Sequence, residues 1–152
     1  MAITTVEGIE GLRELVGADL GTTSPVLVDQ ARIDAFADTT LDRQWIHVDV
    51  ERANAGPFGG PIAHGYLTLS LAAHFAAELL EVKGISMAVN YGLEKVRFPS
   101  SVPAGAELSA SGTLVSVEDV AGGVQCLMKI TMAVAGAAKP SCVAEVLFRY
   151  YA

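Results

Sequence analysis

The chain has 152 residues, of which 51% are hydrophobic and 18% charged, with 10 Lys and Arg against 17 Asp and Glu. A chain of this length is expected to build one core, because chains divide into several domains only well above about 200 residues. The formal net charge of −7 argues against a nucleic-acid partner, since phosphate binding needs a face rich in Lys and Arg. It also disfavours an anionic membrane surface. We therefore predict a single domain over residues 1–152.

The mean hydropathy is +0.42, but a membrane-spanning helix needs about 20 consecutive apolar residues. The closest stretch, residues 61–77, is interrupted by two histidines, a threonine and a serine. No basic residue precedes Arg13 and no secretory signal is recognisable, so we predict a cytoplasmic protein outside the membrane. The many apolar residues predict in addition that part of the surface is buried between subunits.

The first half of the chain is predicted to be helical and irregular. An amphipathic segment over residues 6–16 precedes a strand over residues 22–28. Asp29 is placed to cap a helix of about ten residues that ends near residues 38–40. The next stretch, residues 41–61, has no periodicity. It predicts a long functional loop rather than a disordered one, because it carries large apolar side chains.

The most hydrophobic helix of the chain is predicted over residues 65–82. After the first turn its polar residues form one narrow stripe, consisting of Ser70, His74, Glu78 and Glu81. The rest of its circumference is apolar. Such a helix must be wrapped by other structure, and a curved sheet can do so.

The second half of the chain predicts that sheet, as about four antiparallel strands over residues 85–98, 106–117, 124–134 and 142–150. Along the last three, apolar residues alternate with polar ones. Cys126 and Cys142 fall within two of these strands and are predicted to be buried free thiols rather than a disulfide. A long helix wrapped by an antiparallel sheet is the hot-dog arrangement. The predicted fold class is therefore α+β, with a single hot-dog fold.

The ionisable residues that stand out lie in the aperiodic stretch. Asp42 and His47 are five residues apart with apolar side chains nearby, so both can point into one partly dry cavity. Such a pair can hold and deprotonate a water molecule near neutral pH. The alternative is structural: an Asp that caps a turn and a His hydrogen-bonded to the backbone.

A second feature is the start of the apolar helix at Gly65. The first turn of a helix presents N–H groups without intrahelical partners, and these stabilise an oxygen that becomes negative during a reaction. Glycine allows a substrate to approach the backbone closely. The alternative is that Gly65 only fits a tight start of the helix.

Taken together, these residues resemble the MaoC-like, (R)-specific enoyl-CoA hydratase family of hot-dog proteins. The family's Asp, the His five residues later and a following acidic or amide residue fall on Asp42, His47 and Asp49. Its Ala-His-Gly pattern before an apolar helix falls on residues 63–65. The order of loop, helix and strands agrees over the whole chain.

The chain departs from the family pattern at three positions. The family has Gly before the Asp and Asn-Pro before the last apolar residue and the His, where this chain has Leu41, Gln44 and Trp45. Gln44 carries the same amide group as Asn, and Trp45 can fill the loop that Pro would stiffen. These departures bear on the loop geometry and the substrate range.

The resemblance implies a reaction and roles for the residues. Asp42 and His47 would activate the water that adds to C3 of a trans-2-enoyl thioester, giving the (R)-3-hydroxyacyl thioester, or catalyse the reverse dehydration. The backbone N–H of Gly65 would bind the thioester oxygen, and Ser70 would position the pair. The three histidines and nearby carboxylates do not have the spacing of metal ligands, so no metal site is predicted. The resemblance implies no resident cofactor, because the thioester of coenzyme A or of acyl carrier protein is itself the substrate.

Further residues are predicted to contact substrate. His64 lies beside the proposed oxyanion site, where it either binds or holds the loop by hydrogen bonds. Lys95 and Arg97 share a strand face and are candidates for the phosphates of coenzyme A, or are ordinary solvated residues. The full set of predicted substrate-binding residues is Gln44, Trp45, His64, Ser70, Asn90, Tyr91, Lys95 and Arg97. The family's active site lies near a dimer interface, so we expect a homodimer.

Two other functions remain open from the sequence, since the hot-dog fold supports more than one activity. The first is an acyl-CoA thioesterase, whose carboxylate lies on or beside the long helix, where this chain has only Glu78 and Glu81. The second is a non-catalytic acyl-binding subunit. The presence of both Asp42 and His47 favours the hydratase.

Overall fold

The computed structural model describes residues 3–152, so Met1 and Ala2 of the predicted domain lie outside the described residues. A six-stranded sheet dominates the fold, with strand order β2-β6-β7-β8-β5 and with β3 also paired to β6; all of these pairings are antiparallel. The elements in chain order are β1 (Thr4–Glu7), α1 (Gly8–Glu14), β2 (Asp19–Thr22), β3 (Val26–Val28), α2 (Gln30–Thr40), α3 (Trp45–Val48), α4 (Val50–Asn54), α5 (Gly65–Ser70), α6 (Ala72–Leu79), β4 (Leu80–Lys83), β5 (Met87–Arg97), β6 (Ala106–Val120), β7 (Gly123–Val134) and β8 (Cys142–Tyr151). This antiparallel sheet packed on a central helical segment confirms the predicted α+β hot-dog fold.

The three long central strands have one buried face, as their alternation predicted. Side chains at every second position of β7 and β8, from Val124 to Met132 and from Cys142 to Tyr150, are buried. Their neighbours point to the other side of the sheet because successive side chains of a strand alternate. Cys126 and Cys142 are both buried free thiols, and burial raises the pKa of each to about 11. Neither is a reactive thiolate near neutral pH.

The prediction of one continuous helix over residues 65–82 is wrong in two respects. It is divided at Leu71 into α5 and α6, and it ends at Leu79. The backbone becomes extended at Leu80, and Leu80–Lys83 forms β4, which pairs in parallel with β1. The periodicity of residues 80–82 fits a helix equally well, but the backbone hydrogen bonds of this segment are made with a strand more than 70 residues earlier in the chain.

The helical segment is wrapped by the sheet on one side. Phe75 and Leu79 of α6 are fully buried against the sheet. Gly112 of β6 lies directly under Leu79, where a Cβ would come within 2.9 Å of the leucine side chain. The opposite side, including Ala73 and Ala77, is exposed in the single chain. The expectation that the sheet covers most of the helix circumference is therefore not met by one chain alone.

The first half of the chain matches its prediction at the second helix and differs around it. Asp29 caps α2, with its carboxylate accepting a 2.9 Å hydrogen bond from the Arg32 N–H, and the helix ends at Thr40. The single amphipathic segment is instead β1 followed by α1. Of the predicted strand over residues 22–28, only the end is a strand, β3, while β2 lies almost entirely before it and meets it at Thr22. The stretch 41–61 holds α3 and α4, each too short to produce a periodic pattern.

Within residues 3–152, no helix combines the length and apolar character that crossing a membrane would need. The cytoplasmic location stays a prediction.

Candidate active site

His47 is fixed by the pairing of its short helix with a neighbouring segment. It lies in the last turn of α3 and is buried, with 6% of its surface exposed. The N–H of Ile62 donates to the carbonyl of Ile46 at 3.1 Å, and the carbonyl of Ile62 lies 2.7 Å from Nδ1 of His47. A carbonyl oxygen only accepts, so Nδ1 carries the proton and donates it. The lone pair of the neutral ring is therefore on Nε2.

The neutral form of His47 is favoured near pH 7. Burial lowers the pKa of the His47 imidazole below its ordinary value of 6.5, because the charged form loses solvation. The hydrogen bond to Ile62 and the charge of Asp42 oppose this shift, and the proximity of His64 adds to it. Near pH 7, Nε2 of His47 can therefore accept a hydrogen bond or a proton.

Asp42 and His64 lie beside His47. One ring nitrogen of each histidine and one carboxylate oxygen of Asp42 lie within 4.8 Å of one another. The two imidazole rings are stacked, with centroids 3.8 Å apart and an angle of 23° between their planes. Asp42 is exposed in the single chain rather than enclosed in a dry cavity. The structure brings together the predicted pair and adds a second histidine to it.

A cavity of about 440 Å³ lies on one side of His47. Gly65 and Thr68 of α5 line it, together with apolar and hydroxyl side chains from the neighbouring loops: Ile46, Phe58, Ile62, Ala63, Phe98, Pro99, Ser100, Ser101, Val102 and Ser141. Gly65 opens α5, so its N–H has no acceptor within the helix. A Cβ on this residue would lie 3.2 Å from the ring of Phe98, so an alanine here would require that ring to shift by a few tenths of an ångström. The cavity therefore contains a base, a free N–H and an apolar wall.

Ser70 does not lie at this cavity in the single chain. Its hydroxyl donates to the carbonyl of Leu67 at 2.7 Å, and the residue lines a separate groove of about 250 Å³ with Asn90 and Tyr91. Two residues of helix correspond to about 200° of rotation, so Thr68 and Ser70 point in nearly opposite directions. Thr68 is the α5 hydroxyl that shares the cavity with His47. Thr68 is not among the residues predicted from the sequence to form the site.

Asn90 and Tyr91 are on the edge strand β5, in the groove away from His47. The guanidinium of Arg149 lies 3.5 Å from the centroid of the Tyr91 ring, so this ring is held by a cation–π contact. Lys95 and Arg97 are exposed on either side of Val96 of the same strand. Of these four residues, Asn90 and Tyr91 line the separate groove, and none lines the cavity that contains His47.

Gln44 and Trp45 shape the loop, and a residue outside it supports His47. Gln44 is exposed and precedes α3, where its carbonyl accepts the N–H of His47 at 3.0 Å. Trp45 stacks against the guanidinium of Arg52 at 4.2 Å. The amide group that supports His47 belongs to Gln30, whose Nε2 donates to the His47 carbonyl at 2.7 Å. No local motif identified Gln30, because it lies 17 residues away.

The carboxylates that a thioesterase would use lie elsewhere. Glu78 is 2.8 Å from Nε2 of His74 on the surface of α6, and Glu81 accepts a hydrogen bond from Thr5. Neither lines the cavity that contains His47 and Gly65. By donor type alone, two imidazoles and a carboxylate could also hold a metal ion. The absence of a metal stays a prediction, and no step below depends on one.

The structure is a hot-dog fold with a buried neutral histidine beside the start of a helix, and comparison with known proteins identifies the family. A model of the MaoC like domain matches residues 12–134. The 3-hydroxyacyl-thioester dehydratase Z of Mycobacterium tuberculosis is 48% identical over 149 residues, covering 97% of this chain and 99% of that protein. The chain belongs to the MaoC-like family and is an enzyme of its hydratase and dehydratase class.

Solved structures show the same fold at lower identity. A monoamine oxidase regulatory protein from Archaeoglobus fulgius matches with a TM-score of 0.78 and 24% identity, covering 99% of this chain and 97% of that one. An (R)-hydratase from A. caviae matches with a TM-score of 0.72 and 22% identity, covering 88% of this chain and 94% of that one. At these identities the likeness concerns the fold alone.

Proposed function

We propose that this protein catalyses the reversible hydration of a trans-2-enoyl-CoA to the (R)-3-hydroxyacyl-CoA. The observation that carries the proposal is the cluster of Asp42 with His47, whose Nε2 is unprotonated, beside a cavity that His47 and Gly65 both line. The dehydratase name of the relative at 48% identity supports the reaction class. An acyl-carrier-protein thioester remains the other form of the substrate.

The reaction uses groups of three residues, namely Asp42, His47 and Gly65. Asp42 and His47 hold a water molecule, and His47 Nε2 takes its proton as the oxygen bonds to C3 of the enoyl thioester. The electron pair of the double bond moves onto the thioester oxygen, where the Gly65 N–H stabilises the negative charge. The proton then passes from His47 to C2. The elements of one water molecule have then been added across the double bond, and His47 is neutral again. Dehydration follows the same steps in reverse.

The test is a hydration assay on the purified protein, which follows loss of the conjugated thioester absorbance and determines the chirality of the product. We expect (R)-3-hydroxyacyl-CoA, and an unchanged rate in the presence of EDTA. Asp42→Asn and His47→Gln each lower kcat by about 10²- to 10⁴-fold, as expected for loss of an acid–base group. His74→Gln is the matched control, because His74 is an exposed histidine of α6 away from the cavity. Thiol release without loss of the double bond would instead show a thioesterase.

The assembly that we propose is a homodimer formed through β5. This strand pairs with β8 along one edge, and among residues 3–152 no strand pairs with its other edge. Four of its large hydrophobic residues are exposed, namely Met87, Val89, Tyr91 and Leu93. A long apolar edge strand is normally covered in a stable protein. In such a dimer the exposed Lys95 and Arg97 would be available to the phosphates of coenzyme A.

A further inference from the structure

We propose that His64 is a positioning residue, which holds the main chain of Asp42 and the ring of His47 in place without itself contacting substrate or water. This inference rests on the proposed function, since it assigns how the catalytic pair is kept together. It is carried by four observations: a hydrogen bond to Asp42, the backbone conformation of Leu41, the stack on His47 and the position of His64 outside the cavity lining.

The first observation is a hydrogen bond from the start of α5 to the Asp42 loop. Nε2 of His64 lies 2.9 Å from the carbonyl oxygen of Asp42, so Nε2 carries the proton and donates it. The two residues are 22 positions apart in the chain. Within the described residues, no hydrogen bond is made to the Asp42 carboxylate itself. The loop position of this carboxylate therefore depends on the contact that His64 makes with the Asp42 main chain.

The second observation is the backbone immediately before Asp42. Leu41 has φ 68° and ψ 14°, and it is the one residue other than glycine with positive φ in the described part of the chain. This conformation is unfavourable for a leucine, and such residues persist when the surroundings determine them. The Leu41 side chain is 72% exposed, so its own packing does not hold it. The hydrogen bond that His64 makes at the next residue supplies a restraint.

The remaining observations place His64 outside the cavity and against His47. His64 is buried, with 2% of its surface exposed. Ala63 and Gly65 line the cavity, whereas His64 between them does not. Its ring instead stacks on that of His47, with centroids 3.8 Å apart. His64 thus contacts both Asp42 and His47 without lining the cavity.

The test compares His64→Gln with His64→Asn. Both variants carry an amide and remove the ring, but only the Gln amide nitrogen reaches the place of Nε2. We expect His64→Gln to keep kcat within about 5-fold of the wild type and His64→Asn to lower it by about 10- to 100-fold, the usual effect of losing an orienting contact. KM should change little, because His64 does not contact substrate. Equal kcat values in the two variants, whether high or low, would overturn the proposal.

A second readout does not depend on activity. Amide hydrogen exchange of the segment 41–43 should be faster in His64→Asn than in the wild type and nearly unchanged in His64→Gln, because the Asp42 main chain is released only in the first. Unchanged exchange in His64→Asn would contradict the proposal even if kcat falls. If the wild type does not hydrate any enoyl thioester, the proposed function fails, while the exchange experiment still decides whether His64 holds Asp42.

Discussion

Gln30, the first residue of α2, donates its side-chain amide to the main-chain carbonyl of His47 at 2.7 Å. The same amide nitrogen lies 2.9 Å from a carboxylate oxygen of Asp34, one turn further along the helix. Gln30 therefore links α2 to the short helix α3 that carries His47. The orientation of His47 depends on this contact from outside the loop and on the bond from Nδ1 to Ile62.

We predict that Gln30→Ala lowers both stability and activity. Loss of this partly buried hydrogen bond costs about 1 kcal/mol in the free energy of unfolding. If the same free energy is lost from the orientation of His47 in the transition state, kcat falls about 5-fold. Denaturant unfolding and the hydration assay measure the two effects. Asp34→Ala is the matched control, since it removes the exposed contact of Gln30 and leaves the His47 contact in place. If both variants keep full activity, Gln30 does not orient His47.

The second prediction concerns the pH dependence of hydration. In the proposed mechanism His47 acts in its neutral form, and burial lowers the pKa of its imidazole below 6.5. The neutral form is therefore retained as the pH falls through 6.5, and kcat/KM is lost only as the pH falls through the lower pKa of the folded protein. Asp42 and His64 are the titratable groups that act on this pKa, in opposite directions. A profile of kcat/KM between about pH 4 and 9 measures the acid limb, whose expected midpoint is below the ordinary histidine value of about 6.5. An acid limb above that value would contradict the prediction.

The third prediction is that Leu41→Gly stabilises the protein. Leu41 has a left-handed backbone conformation, which glycine adopts without steric cost. The gain in the free energy of unfolding is expected to be about 0.5–1 kcal/mol, after the greater freedom of glycine in the unfolded chain is allowed for. Thermal and denaturant unfolding measure it. Leu27→Gly in β3 is the control, because this half-exposed leucine lies in a strand and its replacement should destabilise. A loss of stability in Leu41→Gly would show that the side chain is needed.

The fourth prediction tests the proposed dimer. Leu93→Lys places a charge on the exposed edge strand β5, where a second chain would bury it. We expect the wild type to elute as a dimer in size-exclusion chromatography with light scattering, and the variant to shift toward the monomer at the same protein concentration. Val115→Lys is the matched control, since Val115 is about equally exposed but belongs to β6. A monomeric wild type would contradict the proposed assembly.

The sequence determined those features that depend on local pattern. Alternation in β6, β7 and β8 identified their buried face, because side chains of a strand point to opposite sides whatever the strand pairs with. Asp29 was identified as the cap of α2 from its residue type and position. Asp42, His47 and Gly65 were selected because their chemistry and spacing match a known family pattern, and the structure brings two of them into one cluster and places the third in its cavity.

Tertiary structure decided what depends on residues distant in the chain. Leu80–Lys83 is a strand rather than the end of a helix because β1 supplies its hydrogen-bond partners. Gln30 supports His47, and His64 contacts both Asp42 and His47, because the folded sheet and loops bring these segments together. Thr68 rather than Ser70 lies in the cavity because only the orientation of α5 against its neighbours selects one face of the helix. Local periodicity shows that a face exists, but contacts between distant segments decide what that face meets.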